Sequence, residues 1–436
     1  MKELVDKRMG ILACAAAAVI VAGAFAGCGD DDDDGSAAAD AAAEETFDGP
    51  PATVFMQAPV DNPVADFSDA VAAANAAAAA INRDGGIAGR ELVVETCNDT
   101  DANAEVACVR KAARDDALAF VGSTFIFNSQ AGGEILAKES IASVAAQGSN
   151  QAEYAAPINF PIYAPPFGIL ACPEQVTQAS DATRVSAIAQ DLPIQKELLT
   201  TLQGVAGAAG VDYGGGVTVP TSQTDFAPAV QELSDLDAEA VVNVLAPTAQ
   251  APFYSAVRSV GGDFKAYCSG PTLYTTETLT QLGEQADEIY VSSGLPPTSE
   301  EFAQDNPVIQ QFRDEMEAAA DAGDDEAALD ALINPSNALN AWLGMQIVKQ
   351  VAGEVKGELT SESLLAALNE AEVNFDGVVP PIDFGQPAPP PLTRLFNPVM
   401  NLYRWDSGAG EFVAADAEQV NVLELLAAAS KAGGGQ

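Results

Sequence analysis

The chain has 436 residues, with 63 acidic side chains against 19 basic ones, a formal charge of -44 and no histidine. That charge repels phosphate backbones and anionic lipid heads, which argues against nucleic acid as a partner. Without histidine the chain lacks the usual general base and the commonest transition-metal ligand, so Ser-His-Asp and Cys-His sites cannot be built. Gly-x-Ser-x-Gly, Ser-x-x-Lys and Walker-type Gly-Lys-Ser/Thr motifs are missing as well. These absences argue against an enzyme built on a nucleophile and a histidine base, and no cofactor and no metal are expected; hydrolysis by a carboxylate pair stays open as a lesser alternative.

Lys2, Lys7 and Arg8 precede an apolar run from Gly10 to Phe25, after which Cys28 is followed by Gly29 and the aspartates Asp30 to Asp34. A charged start, an apolar core shorter than a membrane span and small residues before a cut make residues 1–27 a secretory signal. Phe25-Ala26-Gly27-Cys28 resembles the cleavage site of bacterial lipoproteins, although Phe25 stands where such sites prefer Leu. That resemblance implies that Cys28 becomes the lipid-bearing first residue of an extracytoplasmic, membrane-anchored chain. An ordinary cleaved signal and an uncleaved anchor are the alternatives. Residues 28–50, mostly Ala, Asp and Glu with no basic residue, read as an acidic tether.

About 385 residues follow, too many for one ordinary core and enough for two lobes. Short β-rich runs alternate with helical ones, the pattern of parallel sheets built from βαβ units. The expected elements of the first half are strands 53–58, 91–96, 117–122 and 141–146, with helices 66–82, 104–115 and 129–139. A Pro- and aromatic-rich passage from Pro157 to Phe167 then reads as a crossing into a second lobe. Strands 184–190, 215–219, 240–245, 265–268 and 288–293 follow, with helices 194–209, 226–236, 251–260 and 276–282 between them. Leu295-Pro296-Pro297 reads as a second crossing, with helices 306–320, 336–352 and 361–368 beyond it. The strand-like stretch from Phe384 to Phe412 returns to the second lobe. The resulting division is 51–163 with 296–390 for one lobe, 164–295 with 391–425 for the other, and a flexible tail, 426–436.

With Cys14 in the signal and Cys28 taken by lipid, four cysteines remain, Cys97, Cys108, Cys172 and Cys268, and an even set in an oxidising compartment reads as two disulfides. Cys97 with Cys108 would close a short loop, worth roughly 3 kcal/mol on the chain-entropy model. Cys172 with Cys268 would then tie together two parts of the second lobe. Four cysteines allow three connectivities, and free buried thiols are the alternative.

Asn82-Arg83-Asp84-Gly85-Gly86-Ile87-Ala88-Gly89-Arg90, followed by Glu91-Leu92-Val93-Val94 and a Cys-Asn-Asp turn, resembles a stretch of type I solute-binding proteins. The leucine/isoleucine/valine-binding group of ABC importers is the class it is most similar to. Val121-Gly122-Ser123-Thr124, Ser143 to Asn150, Thr224-Asp225-Phe226, Asn340-Ala341-Trp342 and Phe396 to Trp405 resemble further stretches of the family in the right order. The resemblance implies an α/β fold of two doubly wound, Rossmann-like lobes joined by a multi-strand hinge. It implies capture of a small polar organic ligand in the cleft, delivery to ABC permease subunits, and a monomer. A surface receptor that senses the ligand without transporting it is the alternative on the same fold.

In such sheets ligands bind beyond the carboxyl ends of the strands. By the resemblance, Ser123, Thr124, Ser149 and the backbone at Gln147 hold a ligand carboxylate or other acceptor, with a helix start after Thr124 adding its dipole; helix capping is the plain alternative for these hydroxyls. Asp61 belongs to a loop facing the cleft, and Asp191, Thr248, Thr272 and Tyr274 occupy the matching strand ends of the second lobe. Amino-acid binders of the class carry an acid after Gly-Pro to hold the ligand ammonium, whereas this chain has Gly270-Pro271-Thr272. Either Asp61, Asp191 or Glu277 substitutes, or the ligand is not an α-amino acid.

Overall fold

The computed structural model describes residues 47–433 except 48, 63–65, 99, 149, 324–327, 329–331 and 333–335. The expected signal, Cys28, nearly all of the tether, and Ser149 therefore lie outside the described residues.

The first sheet consists of β1 (Ala52–Gln57), β2 (Leu92–Cys97), β3 (Ala119–Val121), β4 (Ala142–Val144) and β5 (Asn159–Phe160), all parallel, in the order β2-β1-β3-β4-β5. Its connections are α1 (Ser68–Arg83), α2 (Ala102–Arg114) and α3 (Ser129–Lys138). Side chains alternate across a strand, so Val54 and Met56 enter the core shared with α1, while Phe55 packs on the opposite face with Phe120, Cys108 and Val109.

Where α1 ends, the chain reverses through three glycines with positive φ, Gly85 at 95°, Gly86 at 72° and Gly89 at 73°. A Cβ on Gly86 would lie 2.1 Å from the Arg90 carbonyl oxygen, so no other residue fits there. Asn82 completes the turn: its Nδ2 donates to the Leu92 carbonyl at 2.9 Å and its Oδ1 accepts from the Leu92 N–H at 2.7 Å. One side chain thereby pairs with the start of β2 as a strand would.

Past β5 the chain runs through α4 (Pro165–Ala179) into a second sheet. That sheet holds β6 (Arg184–Gln190), β7 (Asp212–Val219), β8 (Ala240–Val244), β9 (Ala266–Ser269) and β10 (Ile289–Ser293), mutually parallel. The helices are α5 (Pro193–Ala208), α6 (Ala227–Asp235), α7 (Pro247–Val260) and α8 (Thr276–Leu282). From β10 the chain goes back to the first core through α9 (Glu300–Asp305), α10 (Pro307–Ala322), α11 (Ser336–Glu354) and α12 (Ser361–Leu368), with Phe312, Met316, Leu339 and Trp342 buried there. A two-stranded ribbon follows, β11 (Glu372–Val373) with β12 (Ile382–Asp383). The chain then returns to the second sheet as β13 (Val399–Asp406), antiparallel to β10, and β14 (Glu411–Ala414), giving the order β14-β13-β10-β9-β8-β6-β7. β15 (Val420–Asn421) pairs with β13.

The α/β expectation and nearly every expected strand and helix agree with this architecture; β5, inside the passage read as a crossing, α9 and the β11–β12 ribbon had no expected counterpart, and two expected stretches differ. Pro165 and Pro166 open α4 instead of continuing a crossing, because proline is tolerated in the first turn of a helix. That helix is buried from Phe167 to Pro173 without a polar stripe, so no amphipathic period marks it. The last helix, α13 (Val422–Gly433), covers most of the stretch read from sequence as a tail and packs on α5.

Both expected cysteine pairs are bonded: Cys97 to Cys108 and Cys172 to Cys268. The final crossing is fastened by Arg394, whose guanidinium lies 4.2 Å from the ring centre of Phe160 and 4.8 Å from that of Phe396. Its Nε donates to the Asn159 carbonyl at 2.7 Å. Burial lowers its pKa to about 10.

Candidate functional site

In the first sheet the connections leave on opposite sides of β1, since β1 is flanked by β2 on one edge and β3 on the other. The second sheet has the same reversal between β6 and β8. Carboxyl ends of strands diverge at such points and leave room for a ligand.

At the reversal in the first sheet, three strand ends are laced together. The Gln57 N–H donates to Ser123 Oγ at 3.0 Å, and the Thr124 N–H donates to the Gln57 carbonyl at 3.1 Å. The Gln147 N–H donates to the Ser123 carbonyl at 3.1 Å. Ser123 is fully buried, and its hydroxyl closes this junction instead of standing open to a ligand.

The side chains around the junction tell a different story. Gln57 is 0 % exposed, Thr124 8 % and Gln147 4 %. Gln57 Oε1 and Nε2, Thr124 Oγ1 and Gln147 Nε2 are buried and have no hydrogen-bond partner. A buried polar group left unpaired costs about 1–3 kcal/mol, so four such atoms at one junction make it the candidate place for the polar groups of a ligand.

The scaffold beneath is stiff. Gly122 adopts φ 61°, and a Cβ there would lie 2.7 Å from the Ala341 Cβ on α11. A Cβ on Gly344 would lie 2.7 Å from the Ala145 Cβ and 2.8 Å from Val121 Cγ1. Asn340 Nδ2 donates to the Ala145 carbonyl at 2.7 Å. The ends of β3 and β4 thus rest directly on α11, which accounts for the small residues and the Asn in Asn340-Ala341-Trp342.

The expected helix dipole is not offered to a ligand. α3 begins only at Ser129, and the loop before it is held by the buried Glu105, whose Oε2 accepts from Phe127 N–H at 2.8 Å and Oε1 from Asn128 N–H at 2.7 Å. Burial pushes the Glu105 carboxyl up, against the pull of those backbone N–H groups.

The second-sheet candidates fall at the expected strand ends but divide in character. Asp191 and Thr248 are exposed, and Asp191 is ion-paired with Lys196. Thr272 is half-buried in the turn after β9, which approaches α11. Tyr274 is buried, its hydroxyl 2.9 Å from that of Tyr254, and burial drives its pKa far up. Nearby, Asn243 Nδ2 donates to Gln250 Oε1 at 2.7 Å, and Gln250 Nε2 donates to the Leu245 carbonyl at 2.8 Å. Tyr274 therefore sits in an internally bonded network. Asp61, at φ 53°, is exposed. Glu277 is exposed too, its Oε1 accepting from Gln281 Nε2 at 2.8 Å.

Gln57 escaped the sequence analysis, because a glutamine ending an apolar strand has no motif; its signal was a polar residue closing Ala52–Met56. Among the described residues no group of three or more acidic or cysteine side chains could hold a metal ion. No helix among them is long and apolar enough to cross a membrane.

A family model described as periplasmic binding protein matches residues 56–410, and the chain belongs to that family. Its fold is that of the type I members, as the resemblance at Asn82–Arg90 implied. The extracellular ligand-binding receptor from Verminephrobacter eiseniae aligns with a TM-score of 0.67 and 16% identity, over 83% of this chain and 99% of that one. The fatty acid ABC transporter substrate-binding protein from Thermomonospora curvata aligns at 0.67 and 14%, over 87% and 96%. A solute-binding protein of an ABC transporter from R. palustris, in complex with 4-hydroxybenzoate, aligns at 0.68 and 16%, over 85% and 96%. No curated protein matches the chain.

Proposed function

We propose that the protein is an extracytoplasmic solute-binding protein, anchored by lipid at Cys28, that encloses a small polar organic ligand between its lobes and hands it to an ABC importer. The observation that carries this reading is the set of buried, unpartnered polar atoms on Gln57, Thr124 and Gln147 where three strand ends meet. Contacts from Thr272 and its neighbours on the second lobe would favour the closed state over the open one, with the crossings absorbing the rotation. Binding, not bond-breaking, is what such a donor set supports. Delivery to a permease rests on the kinship with binding proteins of ABC transporters.

The three acids available to pair an amino-acid ammonium, Asp61, Asp191 and Glu277, are all exposed. This supports a ligand other than a simple α-amino acid. The test is a thermal-shift screen of the chain from Glu45 onward, freed of bound ligand by unfolding and refolding, against amino acids, amides, aliphatic and aromatic carboxylates, ureas and polyamines. A ligand at a hundred times its dissociation constant adds about 2.7 kcal/mol. No shift with any compound would count against the binding reading. Loss of fatty-acid labelling in Cys28→Ser would establish the anchor, and labelling that persists would refute it.

A further inference from the structure

Resting on the solute-binding reading above, the geometry points to Gln57 as the residue that selects the ligand: its side-chain amide takes an uncharged planar group with one acceptor and one donor side by side, a carboxamide, urea or lactam. The main chain of Gln57 is fully engaged, its N–H on Ser123 Oγ and its carbonyl on the Thr124 N–H, so Gln57 and Thr124 are held at neighbouring strand ends, with Gln147 joined to the same junction through the Ser123 carbonyl. Both ends of the amide are buried without partners. An apolar residue of the same length would leave nothing unpaired, so retention of a primary amide here is explained by a partner that uses both ends.

The inventory of free groups decides the class. Gln147 Nε2 and Gln57 Nε2 donate, Gln57 Oε1 accepts, and the Thr124 hydroxyl does either. A carboxamide satisfies all of them: its oxygen takes the donors and its NH2 gives to Gln57 Oε1. A carboxylate accepts only, leaving Oε1 buried and unpaired or facing a negative oxygen.

Charge argues the same way. Arg394 is the only buried basic side chain among the described residues; it lies between two rings with Nε on the Asn159 carbonyl, while its Nη2 has no partner. Apart from that one side chain, an anion entering this site would lose its hydration with no buried cation to meet it, in a chain of charge -44.

The experiment measures dissociation constants by calorimetry for size-matched pairs: acetamide and acetate, isobutyramide and isobutyrate, benzamide and benzoate, on refolded ligand-free protein. The amide of the best-fitting pair is expected to bind about tenfold or more tightly than its acid. Gln57→Met, checked for fold by circular dichroism, should bring that ratio close to one. Acids binding as tightly as their amides, a ratio unchanged in Gln57→Met, or no amide binding at all would each overturn the proposal. The wild-type ratio decides even if Gln57→Met does not fold. A carboxylate or polyamine that binds in the broader screen would leave the solute-binding reading standing while this one fell.

Discussion

The two disulfides close loops of very different length, and their contributions should differ accordingly. Cys97 and Cys108 are 11 residues apart, Cys172 and Cys268 96 apart. If a cross-link acts by restricting the unfolded chain, the short loop contributes about 2.8 kcal/mol and the long one about 4.7 kcal/mol. Cys172 and Cys268 are also completely buried in the second core, so replacing both with alanine removes packed sulfur atoms and widens the gap. Urea melts of Cys97→Ala/Cys108→Ala and Cys172→Ala/Cys268→Ala, followed by tryptophan fluorescence, measure the two losses. The two tryptophans serve different cores, Trp342 the first and Trp405 the second, so Trp→Phe variants report the lobes separately. The long-loop pair should cost about 2 kcal/mol more than the short-loop pair. Equal losses, or a larger loss for Cys97→Ala/Cys108→Ala, would refute the loop-length argument.

Three further outcomes follow from local geometry. Gly344→Val forces α11 off the ends of β3 and β4, where even a Cβ comes within 2.8 Å of Val121 Cγ1; the expected loss is about 1–3 kcal/mol by thermal melt, with weaker ligand binding. Glu105→Gln keeps one acceptor for Phe127 and Asn128 but aims an NH2 at the other backbone N–H, so about 1.5–3 kcal/mol should be lost; a melt identical to wild type would show that the loop is held by other means. Glu239 receives the Thr183 N–H at 2.6 Å as well as Lys265 and the Thr183 hydroxyl, and these bring its pKa from 4.5 to about 2. Its folded value is depressed, so the advantage of wild type over Glu239→Gln should be complete above pH 5 and shrink as pH falls toward 2, read from melting temperatures across that range.

Most of the fold was legible because parallel sheets write themselves as apolar runs between amphipathic helices. The Asn82–Gly89 turn was legible because three positions demand glycine. α4 was not, since a helix buried on all sides has no period, and Pro173 within it reads as a breaker. The site was legible only in outline: strand ends were found, but which polar atoms remain free depends on hydrogen bonds between residues far apart in sequence. Ser123 looked like a ligand donor until the Gln57 N–H, 66 residues away, was found on its hydroxyl. Gln57 became visible only when nothing in the fold met its amide.

Neither core is assembled from one continuous stretch of chain. The first draws on residues 52–163 and 295–384, and the second, over both faces of its sheet, on 154–291 and 392–425. A ribosome or export channel that releases this chain from its N-terminus delivers the first sheet long before α11, its supporting helix, and the second sheet well before β13. Until residue 354 emerges the first sheet carries an uncovered flank, and the second keeps one until residue 406, so apolar surface of the kind that holding factors recognise stays exposed through most of the synthesis. The same interleaving means that no single cut between α4 and β13 yields two independent halves.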